Sequence, residues 1–238
     1  MYRKISIPVI ILLLLAAGCS EISSTLRNCP DGAIEWVDIL KFNDVEYHGY
    51  VDGSEQVDPA GRGSELGEVT FKMADNACSD HNLKNGDAAY LPEGTKIHEY
   101  TGFSPDFRVL AGNKVYQVQH NDGARTFADL FDIHGKLEQL SIDSSYDGRT
   151  LSSFPEEEAV LFIEDFLTLD YEGFDEIYPV IETESGPGVF IGFHLADGTS
   201  FQLTYWVEEN VINPGGFGTK RMQEIVLSLT EGLDLETE

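Results

Sequence analysis

The sequence predicts an α+β protein: an N-terminal small β-barrel or sandwich of about seven short strands, then a helix–hairpin–helix α+β unit. Three observations carry this reading. Short apolar–polar alternations, separated by turn dipeptides, fill the chain up to about residue 147. The period then changes, with Ala159, Phe162, Ile163 and Phe166 recurring at the i, i+3, i+4, i+7 spacing of an amphipathic helix. Finally, Asp197-Gly198 lies between two runs rich in aromatic and β-branched residues, the signature of a tight hairpin.

Within the first half, Trp36, Asp38 and Leu40 alternate with Val37, Ile39 and Lys41, and Val45–Val51 is rich in strand-forming residues. Asp52–Gly67, full of Gly, Ser and Glu, reads as a loop. Strands are then expected around Val69–Met73, Ala88–Leu91, Lys96–Tyr100, Phe107–Ala111 and Val115–Gln119. The dipeptides Asn85-Gly86, Glu93-Gly94 and Gly112-Asn113 punctuate them. Thr126–Phe131 reads as one short helix and Lys136–Ile142 as a further strand.

In the second half, Ser153-Phe-Pro155 followed by acids looks like a serine-capped helix start. A three-residue loop, Asp197–Thr199, would pair Leu195 with Phe201. That register puts Val189, Ile191, Phe193, Leu195, Phe201, Leu203, Tyr205 and Val207 on one face. Met222, Ile225, Val226 and Leu229 share one face of a last helix. A domain boundary is expected near Ser144–Ser153, which divides the body into a mostly-β domain, 31–147, and an acidic α+β domain, 148–238.

The N-terminus carries an address. Arg3 and Lys4 precede an apolar run, Ile5–Leu15, closed by Ala16-Ala17-Gly18-Cys19. The run is far shorter than the ~20 residues a spanning helix needs. Basic start, apolar middle and small residues are the layout of an export signal. With cysteine directly after the small-residue step, Leu15–Cys19 resembles the lipobox of bacterial lipoprotein precursors. The resemblance implies transfer of diacylglycerol to the Cys19 sulfur and cleavage after Gly18, so that 1–18 is a removed signal peptide and 19–30 a lipidated tether. Two acyl chains on one residue suffice for stable attachment to a bilayer. The segments Trp36–Asp44, Asn85–Thr95 and Asp197–Phe201 make the body similar to uncharacterised lipoproteins of Bacillus-like Gram-positive bacteria. This implies the outer face of a single cell membrane and no particular activity.

The formal net charge is −27, and from Thr150 onward only Lys220 and Arg221 are basic. A field of this sign repels phosphate backbones and excludes a nucleic-acid-binding role. An apolar content of 42% with 11% aromatics also excludes a disordered acidic chain. With Cys19 taken by lipid, Cys29 and Cys78 remain as a candidate disulfide in an oxidising compartment. Closing that loop would stabilise the fold by roughly 4 kcal/mol.

No residue set announces catalysis. Gly-x-Ser-x-Gly, the phosphate-binding glycine loop and paired-cysteine metal motifs are all absent. Cys78-Ser-Asp-His81 lacks further ligands at metal spacing. Asp170, Glu172, Asp175 and Glu176 gather around Gly173 as a weak Ca²⁺ candidate, without the spacing of an EF-hand. His194, Tyr205 and Trp206 are candidates for an aromatic ligand platform on the hairpin. His48, His98, His120 and His134 are scattered and form no constellation. The tether that the lipobox resemblance implies, the absence of a catalytic motif and the aromatic-rich strands together point to a membrane-tethered, non-enzymatic binding or accessory protein of the cell envelope, with a protein or cell-wall partner and no cofactor. The alternatives are an envelope hydrolase without a motif, and an inhibitor or immunity-type protein meeting a basic target.

Overall fold

The structure, a computed structural model, describes residues 34–54, 59–74, 76–181, 188–233 and 235. The leader, Cys19 and Cys29 lie outside the described residues. The chain is mixed α+β and mostly strands. Its first sheet has eight strands in the order β3-β6-β7-β8-β2-β1-β5-β4. These are β1 (Ile39–Phe42), β2 (Val45–His48), β3 (Arg62–Glu68), β4 (Phe71–Lys72), β5 (Asp87–Ala88), β6 (Lys96–Tyr100), β7 (Arg108–Ala111) and β8 (Lys114–Asn121).

The sheet curls into a half-barrel, and its connectivity requires this. Strands β3 and β4 form opposite edges, yet only Val69 and Thr70 separate them. So short a link reaches roughly 10 Å, which draws one corner of each edge together. Val69 closes that corner by donating to Thr95 O at 2.9 Å and accepting from Gly94 N at 2.8 Å. The segment read as a loop up to Gly67 contains β3, a strand with no buried residue. Polar and Gly-rich, it has no periodic pattern to read, and pairing with β6 supplies its order. The link from β1 to β2 is Asn43-Asp44, both at positive φ, as a type I′ hairpin turn demands.

After the short helix α1 (Phe127–Leu130), whose Thr126 and Asp129 form a capping box, the chain builds a second sheet. Its order is β10-β9-β11-β12-β13-β14, from β9 (Leu137–Asp143), β10 (Thr150–Ser153), β11 (Val189–Leu195), β12 (Ser200–Trp206), β13 (Val211–Ile212) and β14 (Gly216–Phe217). Helices α2 (Glu156–Thr168) and α4 (Lys220–Thr230) pack against each other, and α3 (Phe174–Ile177) contacts β14.

The expected helix–hairpin–helix unit is not what forms. The β11–β12 hairpin is the centre of the six-stranded sheet, because β9, from before the expected boundary, pairs along β11 from Phe190 to Leu195. Residues 144–153 are the β9–β10 turn and β10 itself. Ser153 belongs to β10 and does not cap α2; Pro155 holds the cap position without a side-chain bond. The apolar stripes do hold, with Phe162, Phe166, Met222 and Val226 fully buried.

The hairpin register differs from the expected one. Phe193 faces Phe201 and His194 faces Ser200, and Leu195 N donates to Thr199 O at 2.9 Å, so Ala196–Gly198 make the turn. The shift is by two residues, which leaves every side chain on its expected face; all eight residues of the apolar set are buried. One hydrophobic cluster spans both sheets. A chain of rings carries it: Phe107 against Phe131, Phe131 stacked on Phe201, Phe201 on Phe193, and Phe193 against Phe166.

Candidate functional site

The site grows from a single row of residues that lie directly opposite one another on three adjacent strands. Arg108 on β7 faces Gln117 on β8, which faces His48 on β2. Arg108 is 0% exposed. A buried guanidinium is tolerable only if its N–H groups and charge find partners. Nε and Nη2 both donate to Gln117 Oε1, at 2.9 and 2.7 Å. Nη1 donates to Thr199 Oγ1 at 2.7 Å and reaches Asp197 Oδ2 at 3.4 Å. The ring centroids of Phe103, Phe107 and Phe201 lie 5.0, 4.8 and 5.7 Å from the guanidinium carbon. Burial pushes the group down to about 10, partly offset by the Asp197 charge, so it stays cationic at neutral pH.

Asp197 is itself saturated. It accepts from Tyr100 Oη at 2.8 Å, from Thr199 N at 3.0 Å and from Thr199 Oγ1 at 2.7 Å. The hairpin turn thereby ties the second sheet to the first, through Thr199 and Asp197.

One strand further along the row the chemistry changes. Two Arg108 N–H groups fix Gln117 Oε1, so the Gln117 amide must turn its Nε2 the other way. Gln117 is 8% exposed, and this nitrogen has no partner among the described residues. It borders a cavity of about 200 Å³ between the sheets, into which His48 and Gln119 also face. The His48 ring makes no hydrogen bond among the described residues. Burial lowers its pKa from the ordinary 6.5, opposed by the Glu46 and Asp38 charges. Gln119, two residues along β8 from Gln117, falls on the same side, at a β-bulge where Glu46 pairs with His120 and Tyr47 with Val118.

The opposite wall is the edge of β12. Ser200 exchanges backbone bonds with Asp52, and Thr204 O accepts from Asn213 N at 2.9 Å. Gln202, midway between these closures, points its main-chain N–H and C=O to the same side, where they meet the cavity. Apolar walls come from Val118, Phe131, Phe201, Leu203 and Pro214. Tyr50, 65% exposed, stands at the rim and also lines a second recess of about 390 Å³ built from Gly49–Ser54 and Lys114. That recess is anchored by Asp38, which holds Lys114 Nζ and accepts from Tyr116 Oη at 2.9 Å.

The residues singled out from the sequence are not gathered here. Tyr205 is buried on the core face and donates to Asn210 Oδ1. His194 lies on the opposite face, its Nε2 2.8 Å from Ser141 Oγ. Trp206 is at the far end of β12 from Ser200, the residue facing His194, so the three make no platform. Asp170, Glu172, Asp175 and Glu176 are all exposed. Among the described residues no three His, Cys, Asp or Glu side chains converge where a metal ion could be held. Cys78 is disulfide-bonded, and nearby His81 pairs with Asp87 at 2.7 Å and stacks on Phe71.

Sequence reading passed over the row itself. Its signal was present in two forms: an arginine between Phe107 and Val109 in an apolar strand, and glutamines at alternate positions 117 and 119. Among the described residues no helix is long and apolar enough to cross a membrane. Compared with protein-family models, curated proteins and solved structures, the chain matches none of them.

Proposed function

We propose that this chain is an extracytoplasmic lipoprotein, anchored through a diacylglyceryl group on Cys19, whose body is a non-enzymatic binding protein. The cleft between the sheets is its ligand site. The observation that carries the binding role is the unpartnered Gln117 Nε2 at the cavity wall, beside His48 and Gln119. This donor is open at the cavity wall, where water can reach it and a ligand can take the place of that water. The disulfide at Cys78 supports the export reading, since such bonds persist in oxidising compartments; Cys29 is its proposed partner. Acidic surface over the body suits solubility outside the membrane.

Mass spectrometry of the membrane-extracted mature protein tests the anchor. The expected result is an N-terminal Cys19 carrying the diacylglyceryl mass; a bare Cys19 or a retained leader overturns it. One contact favours hydrolysis as a second reading, the 2.8 Å approach of Ser141 Oγ to His194. It is the weaker reading, because Ser141 is 0% exposed and Gly192 leaves room only for the Ser141 and Asp143 side chains above it. Labelling of Ser141 by a fluorophosphonate probe would reverse that preference.

A further inference from the structure

We infer that the cleft takes one neutral, hydroxyl-bearing ring, a sugar residue, with its hydroxyls against Gln117, His48 and Gln119. The inference rests on the cleft being the ligand site and adds the class of ligand. Charge is the first argument. This chain has a net charge of −27 and is 24% charged residues, yet none of the ten residues lining the cavity is Asp, Glu, Lys or Arg. A cationic ligand would find no carboxylate there. An anionic one would meet the repulsion of the whole molecule, and the cation next to Gln117 cannot help it: Arg108 is wholly buried and donates to Gln117, Thr199 and Asp197.

Hydrogen-bonding capacity is the second. Gln117 offers a donor, a neutral His48 one donor and one acceptor, Gln119 an amide with both, and the Gln202 main chain one of each. A mixed set in a small space suits a ligand whose groups both give and accept, as hydroxyls do. Shape is the third. About 200 Å³ is below the ~300 Å³ at which drug-sized sites begin, so one ring fits and an oligomer does not. Val118, Phe131, Phe201, Leu203 and Pro214 supply the apolar part of the lining, against which the C–H groups of a ring would rest.

The test titrates calorimetrically the mature lipidated protein, held in a sugar-free detergent, with glucose, N-acetylglucosamine, glucosamine, glucuronate and acetamide. Neutral sugars should bind with Kd on the order of 1 mM, at least ten-fold tighter than ammonium- or carboxylate-bearing analogues or acetamide. His48→Ala and Gln119→Ala, each checked for an unchanged melting temperature, should weaken binding about five-fold by removing one hydrogen bond. Charged analogues or acetamide binding as well as neutral sugars, in a manner sensitive to these variants, overturn the ligand class and leave the cleft as the site. No binding of any probe also overturns the class. Binding indifferent to both variants overturns the cleft as well.

Discussion

Arg108 and His48 stand in the same cross-strand row with Gln117 between them, and they illustrate two uses of a polar side chain in an interior. Around Arg108 every guanidinium nitrogen has an acceptor and the charge has a carboxylate, so the cluster fixes geometry. At the His48 ring, and on the Nε2 side of Gln117, the side-chain polar atoms have no partner among the described residues and border the cavity. Gln117 joins the two regimes, because stability fixes one end of its amide and so orients the other end for a ligand. The contrast teaches that satisfaction, rather than burial or charge, separates structural from functional polar residues here.

The largest expected effect attacks the satisfied side. Asp197→Ala leaves a buried guanidinium without its counter-charge and should cost about 3–5 kcal/mol of stability, measured by urea unfolding. A loss below about 1 kcal/mol would erase the distinction between the two ends of the row. Next in size is Gly49→Ala, beside the rim recess. A Cβ at Gly49 would fall on the Asp38 carboxylate that holds Lys114, so overpacking should cost about 1–3 kcal/mol. Thr219→Ala removes the α4 cap that accepts from Met222 N at 3.1 Å and should cost about 1 kcal/mol. It lies far from the row and should leave ligand affinity unchanged.

The smallest effect belongs to the unsatisfied side. His48→Ala at pH 7 should change stability by no more than about 0.5 kcal/mol. Its pH dependence sharpens the contrast further. Burial holds the folded His48 below its ordinary 6.5, so between the two values the unfolded chain binds a proton that the folded chain does not. The wild type therefore has its full stability above pH 6.5 and loses part of it as pH falls toward the folded value; the alanine variant lacks this component. Arg108, titrating near 10, contributes nothing in that window. Paired urea melts at pH 7.5 and 5.5 measure the difference, and parallel losses in both proteins would remove His48 as the source.

Much of the local structure was legible because its causes are local. Gly86, Gly94 and Gly112 all adopt positive φ at the turns their dipeptides announce. The stripes of α2 and α4 bury the residues that their spacing selects. The candidate site was not legible, since its residues come from β2, β8 and β12 and no short motif joins them. His48 looked isolated only because its neighbours in space, Gln117 and Gln202, are far from it in sequence.

The sequence alone determined where the chain turns, which stripe of each helix is apolar and which face of the β11–β12 hairpin is buried. The tertiary structure decided the rest: that polar Arg62–Glu68 becomes an edge strand, that β9 joins the hairpin, and that the hairpin is offset by two residues. The physical reason is one of symmetry. A slip of two residues returns every side chain to its own face, so hydrophobic pattern cannot choose between the two registers. Only contacts beyond the hairpin can, and Thr199 Oγ1 meeting Arg108 across the sheets is one that the observed register makes.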